Sequence, residues 1–230
     1  MSELLSNLEF TPFLISFKLA FTTTFILFFI ALPLAWWLSQ TSSRSKPLIE
    51  AVTALPLVLP PSVLGFYILW ALSQNSVIGV FFEEYFGIKL VFNFTGLVVA
   101  SVFYSLPFMV QPLQGGFESL NKNMIEASYI SGKSAFTTML RVALPNIKPS
   151  LMTAVIITFA HTVGEFGVVL MVGGSIPNET KVASVAIYEM VEIMDYTTAH
   201  VYSAIMVIIS FLVLLGVYMF NGKQNRKFGI

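Results

Sequence analysis

His161 and Glu165 lie four residues apart inside a long apolar stretch. On one helix that spacing places an imidazole and a carboxylate on a shared face, where each can satisfy the other. As a metal site the pair falls short, because zinc normally takes at least three protein ligands. The chain has no cysteine, which removes thiolate catalysis, disulfides and Cys-ligated metals. Serine and threonine are plentiful, yet no nucleophile stands in a convincing constellation with a base, and no acids are paired, as an intramembrane hydrolase would require. A second concentration of polar chemistry runs from Glu118 to Pro149 and carries Glu118, Lys122, Glu126, Lys133, Arg141 and Lys148. Its centre reads Glu126-Ala127-Ser128-Tyr129-Ile130-Ser131-Gly132, followed after nine residues by Val142-Ala143-Leu144-Pro145. The small residues after Glu126 let a short helix approach another backbone, and Gly132 is free to turn back at positive φ. This pattern predicts docking rather than catalysis.

The elements that hold these residues are dictated by composition. At 56% hydrophobic and 10% charged residues, with a mean hydropathy of +0.82, the chain is far more apolar than soluble domains. It is expected to be an all-α integral membrane protein, a single transmembrane domain over 1–230. That length accommodates about five spans of ~20 residues and leaves no room for a soluble catalytic domain. Any energy-yielding chemistry must therefore come from a partner.

The spans are expected at about 13–38, 48–72, 93–112, 150–172 and 202–220, with the loop 118–149 between the third and fourth. Met1–Phe10 is acidic and lacks the basic start of a secretory signal peptide, so the first span should be retained. Trp36 and Trp37 suit an interfacial belt at its end, and Lys18 is expected to snorkel to the headgroups. The second span contains Leu55-Pro56-Leu57-Val58-Leu59-Pro60-Pro61-Ser62, which an uninterrupted helix tolerates poorly. Irregular backbone at membrane depth survives when it is buried in protein or lines an aqueous cavity. Pro60, Pro61, Ser62 and Gly65 are accordingly candidate pathway residues, with a packing kink as the alternative. The third span should break at Gln111–Gly116, and Ser73–Phe92 should lie partly along a membrane surface.

Charge fixes the expected orientation. Arg44, Lys46, Lys122, Lys133, Arg141, Lys148, Lys223, Arg226 and Lys227 fall on one side, against Lys89 and Lys181 on the other. The positive-inside rule then places the amino terminus outside and the carboxyl terminus and docking loop in the cytoplasm. On the outer side, Gly173–His200 offers Glu179, Lys181, Glu189, Glu192 and Asp195 to steer a protein partner, or simply forms a solvated face.

The docking segment resembles the cytoplasmic loop of bacterial and archaeal ABC-importer permeases, which reads Glu-Ala-Ala, three residues, Gly, nine residues, Ile, one residue, Leu-Pro. The matching positions are Glu126, Ala127, Ser128, Gly132, Val142, Leu144 and Pro145; Ser128 stands for the second Ala and Val142 for Ile. Within that family, Leu55–Pro61 with Gly65 is similar to the second span of molybdate permease subunits. Phe159–Gly167, then Met171, Gly174, Ile176-Pro177, Glu179-Thr180 and Ile187-Tyr188, is similar to the same subfamily's fourth span and external segment, partly shared with sulfate and tungstate permeases. His161 departs from relatives, which commonly carry Arg there.

The resemblance implies a type I importer bundle with a broken second helix and a cytoplasmic coupling helix. It also implies a homodimer in the bacterial or archaeal cell membrane, served by two ABC ATPase subunits and an external molybdate-binding protein. ATP with magnesium would be bound by the ATPase, no cofactor by this chain, and no nucleic acid is expected among its partners. Cargo would be molybdate, with tungstate or sulfate as alternatives. His161 and Glu165 would lie at a pathway or gate, and Glu179, Lys181, Glu189 and Glu192 at the binding-protein surface. The spans offer only Lys18 and His161 as cations, so cargo selectivity is expected outside this chain. A secondary transporter is another class, less suited because repeat halves and several intramembrane acids or bases are missing, and a structural membrane scaffold would need no broken helices.

Overall fold

A computed structural model describes residues 9–227. The acidic start at Glu3 and the side chains of the basic tail at Lys223, Arg226 and Lys227 lie outside the described residues. Among the described residues every regular element is helical.

The long helix α1 (Thr11–Gln40) carries Pro12 in its first turn, where a missing N–H costs nothing. It packs along α5 (Phe94–Glu118), burying Leu19, Leu27, Ala31, Ala35 and Leu38 on one side and Leu97, Ala100, Leu113 and Phe117 on the other. Trp36 meets Phe117 edge-on, ring centroids 5.1 Å apart at 76°. Lipid tails are as apolar as leucine, so this seam is held by close packing rather than by removal of water, and small residues let the backbones approach. Lys18 stands 4.3 Å over the ring of Phe94.

The second span is two helices, α2 (Lys46–Val58) and α3 (Pro61–Leu72), bent by 114°. The break has a local cause. Leu59 and Pro60 each precede a proline and both adopt extended ψ of 137°, as the ring of the following residue demands. The short helix α4 (Val77–Phe86) follows, capped by the Ser76 hydroxyl, which accepts the Gly79 N–H, and stopped by Gly87 at φ 65°.

One expectation is corrected in α5. The stretch Gln111–Gly116 does not break the helix, which continues to Glu118. Leu113 and Phe117 are fully buried, and a Cβ on Gly116 would stand 2.6 Å from Ser150 Cβ. The glycine serves close helix approach, and tertiary packing overrides the local turn preference.

The docking loop folds as α6 (Lys122–Ile130), α7 (Ala135–Thr138), a π-helical turn over Met139–Ala143, and α8 (Leu144–Asn146). In the turn the Leu144 N–H reaches back to the Met139 carbonyl, just before Pro145, which has no N–H to donate. Next come α9 (Lys148–Gly164), α10 (Gly167–Gly173), α11 (Ala183–Glu192) and α12 (Tyr196–Lys227). The expected fourth span is therefore interrupted at Glu165–Phe166. By length and composition α1, α5 and Tyr196–Gly216 of α12 can cross a membrane, or up to five spans if the bent pairs α2/α3 and α7–α8/α9 each count as one.

Candidate functional site

The two interrupted stretches meet at their breaks. Gly167 opens α10 directly against Pro61, which opens α3, so that a Cβ on Gly167 would lie 2.8 Å from Pro61 Cβ. One turn on, a Cβ on Gly65 would lie 3.0 Å from Met171 Cβ and 3.3 Å from Val168 Cα. The glycines permit an approach that side chains would forbid. Val58, at 81% exposure, and the exposed Pro60, Pro61 and Ser62 form the outward corner of this crossing, while Gly65 is buried inside it.

Glu165 is placed by the interruption. Its backbone is extended (φ −69°, ψ 138°), its carbonyl accepts the Ser184 hydroxyl at 2.7 Å, and its Oε1 accepts the Val168 N–H at 3.0 Å. The carboxylate thus caps the N-terminal turn of α10, where orphan N–H groups and the helix dipole favour a negative charge. This corrects the expected sharing of one helix face with His161, because Glu165 stands outside α9. His161 instead stacks on Phe108 at 3.8 Å between centroids and meets Tyr104 edge-on at 5.5 Å. Beside it Ser105 and Thr162 share a buried hydroxyl hydrogen bond of 2.9 Å.

In the docking loop Gly132 adopts φ +73° with open space around its Cα. Ser128 and Thr138 share a buried hydroxyl hydrogen bond of 2.8 Å that ties α6 to α7. Ile125, Met139 and Ala143 pack inward. Glu126 and Ala127 are exposed, Val142 and Leu144 half-buried, and Pro145 exposed. Tyr129, Ile130 at 88% exposure and Phe136 are large apolar side chains left exposed on a segment rich in charge.

Sequence reasoning missed a polar clasp at this end. Lys46 Nζ lies 3.2 Å from Glu118 Oε1 and 3.7 Å from Glu50 Oε1, while the Gln114 amide donates to Glu50 at 2.6 Å and to Glu118 at 3.0 Å. The Gln114 donor, helped by Lys46, holds the Glu118 carboxyl below the usual carboxylate range. The clasp joins the start of α2 to the end of α5. Its trace in the sequence is two pairs four residues apart, Lys46/Glu50 and Gln114/Glu118.

At the other end the charges of Gly173–His200 are partly committed to one another. Lys181 Nζ and Glu189 Oε2 pair at 2.5 Å. Burial pushes the Glu189 carboxyl up, but Lys181 and Ser175 outweigh it and hold the group below its ordinary value. Asp195 accepts the Thr198 N–H at 3.1 Å, whereas Glu179 and Glu192 are exposed. Thr180 Oγ1 donates to the Gly173 carbonyl at 2.7 Å and accepts the Ile176 N–H at 3.0 Å, closing the turn after α10. Among the described residues no cluster of three His, Cys, Asp or Glu side chains is placed to hold a metal.

Residues 20–229 match the family described as the binding-protein-dependent transport system inner membrane component. The molybdenum transport system permease protein ModB of Azotobacter vinelandii is 47% identical over 97% of this chain and 97% of that protein. The sulfate transport system permease protein CysT of Synechocystis is 35% identical over 79% of this chain and 63% of that protein. A bacterial ABC transporter that imports the acidic polysaccharide alginate shares the fold, with a TM-score of 0.77 at 14% identity over 93% of this chain and 78% of that one. A second alginate transporter structure, in complex with a pentasaccharide-bound periplasmic protein, gives 0.71 at 15% identity over 90% and 76%.

Proposed function

Since the chain belongs to the family of binding-protein-dependent transport system inner membrane components, we propose that it is the membrane permease of an ATP-driven importer that carries molybdate. The carrying observation is the 47% identity to a molybdenum permease across nearly the whole of both chains; sulfate relatives match less and over a smaller share of their length.

In this reading two copies of the chain face one another in the cell membrane, the exposed corner at Val58–Ser62 of each lining a common path. The loop of Glu126, Ala127, Ser128, Gly132, Val142, Leu144 and Pro145 docks on a partner ATPase that binds ATP and magnesium, with Glu126 and Ala127 on its exposed side and Ser128 holding α6 to α7 from within. A binding protein delivers cargo at the opposite, external end, where Glu179 and Glu192 are exposed and Lys181 and Glu189 are paired. The alginate transporter that shares the fold is in complex with a periplasmic protein, which supports an external partner of that kind, and the charge bias of the loops favours a cytoplasmic α6.

Glu165 does not oppose an anion's passage in this scheme, because its charge is engaged by the α10 terminus. It acts as a structural cap at the crossing. Among the described residues the spans offer as cations only Lys18, held over the Phe94 ring, and His161, too few for a tight oxyanion site, so cargo is held by the binding protein and only passes here.

The test is ATP hydrolysis by the permease and ATPase complex, co-purified with its neighbours and reconstituted in lipid. Molybdate-loaded binding protein should stimulate it, and sulfate-loaded protein should do so less. Equal stimulation by sulfate would reassign the cargo, and the absence of any co-purifying ATPase would overturn the importer reading.

A further inference from the structure

Helix α4 joins two membrane-crossing elements, yet its own outer side is unpartnered. Val77, Phe81 and Tyr85 recur at four-residue spacing and form one stripe, with Ile78 beside it. Val77 is 88% and Tyr85 73% exposed, and Phe81 packs on Tyr85 at 4.9 Å between centroids. The opposite edge carries Glu83, within 4.0 Å of Lys89 Nζ.

The helix is held in a fixed attitude. It is capped at both ends by Ser76 and Gly87. A Cβ on Gly79 would lie 1.9 Å from the Ser73 carbonyl oxygen, so its inner side is folded hard against the end of α3. Only Ser73–Ser76 separate it from α3, a reach of at most ~14 Å. Beneath it runs an open groove of about 420 Å³, lined by Ile68, Leu72, Ile78, Phe82, Leu90 and Phe103 and almost wholly apolar.

We propose that α4 is an interfacial membrane anchor at the end of the bundle opposite the 118–149 loop, its Val77–Phe81–Tyr85 stripe sunk into the headgroup layer and lipid acyl chains filling the groove it roofs. Lipid is the occupant that the placement selects. Both ends of α4 are tied to segments that cross the bilayer, and the groove is continuous with the outer sides of Tyr67 and Phe103 on those segments. Aromatic residues with one apolar and one polar end favour that depth. With two glutamates against one lysine on the segment, the attraction is apolar and owes nothing to anionic headgroups. The inference is independent of the cargo and of the ATPase.

The naturally cysteine-free chain allows a direct test. The full-length protein is reconstituted in phosphatidylcholine bilayers with single nitroxide labels at Val77→Cys, Phe81→Cys, Tyr85→Cys and, as reference on the opposite edge, Glu83→Cys. Collision with oxygen should exceed collision with a water-soluble nickel chelate at the first three positions, and the order should reverse at Glu83. Adding phosphatidylglycerol should leave the pattern unchanged. In parallel, Phe81→Trp should show fluorescence quenching by brominated lipid above that of the parent. Nickel-dominated collision along the stripe would place it in water and overturn the proposal. Low collision with both reagents, without lipid quenching, would show a second copy or a docked protein covering the stripe and would equally overturn it.

Discussion

Gly167 and Pro61 touch where two interrupted segments cross, and no Cβ fits between them, since one on Gly167 would stand 2.8 Å from the rigid proline ring. Gly167→Ala should therefore force α3 and α10 apart. Overpacking of this kind costs about 1–3 kcal/mol. Thermal unfolding of the purified protein should shift down, and transport should fall with it. An unchanged melting curve with full transport would mean that the crossing is looser than its geometry.

The carboxylate of Glu165 offers an acceptor oxygen to the Val168 N–H. Glu165→Gln keeps an acceptor and should stay close to the parent in stability. Glu165→Ala removes the cap and should lose about 1 kcal/mol. Equal loss in both variants would show that the negative charge itself is what the site needs.

Accessibility at the break should be uneven. Cysteines at Val58 and Ser62 should react with a water-soluble thiol reagent in one state of the ATP cycle, because both positions are exposed at the corner. Gly65→Cys should not react, because Gly65 is buried against Met171 and Val168. Labelling that ignores nucleotide at every position would identify a static kink.

The clasp at the other end of α5 depends on pH. The Glu118 carboxyl is held below its ordinary value, chiefly by the Gln114 amide. Its contribution is fully present above the unfolded carboxylate pKa and is lost as pH falls through the lowered value. Spin labels at Ser45→Cys and Ser119→Cys should keep a fixed separation at neutral pH and spread in acid. Gln114→Leu should move the onset to higher pH.

Gly132→Val tests the docking loop. Space around Gly132 is open, so any effect comes from the backbone at φ +73°, where a branched side chain costs about 1–2 kcal/mol. The variant, and Glu126→Arg on the exposed face, should still insert in the membrane but recover less ATPase on co-purification. Normal recovery of the complex in both would sink the assignment of α6 as the coupling element.

The sequence by itself determined the membrane class, the break at Leu59–Pro61, and the turn at Gly132. Each follows from a local rule: apolar length, the missing N–H of proline, and the freedom of glycine. It also carried the loop pattern from Glu126 to Pro145, because that pattern lies within one short stretch of chain. Tertiary structure alone decided the rest. Pro112 and Gly115-Gly116 read as a breaker, yet α5 runs on because Leu113 and Phe117 are buried against α1 and Gly116 admits Ser150. His161 and Glu165 read as a pair on one helix, yet the chain leaves α9 at Gly164 and the carboxylate turns to an N–H three residues ahead. The contacts between Pro61 and Gly167, and between Gln114 and Glu50, join residues far apart in sequence, and no local periodicity encodes which distant backbone a glycine or an amide will meet.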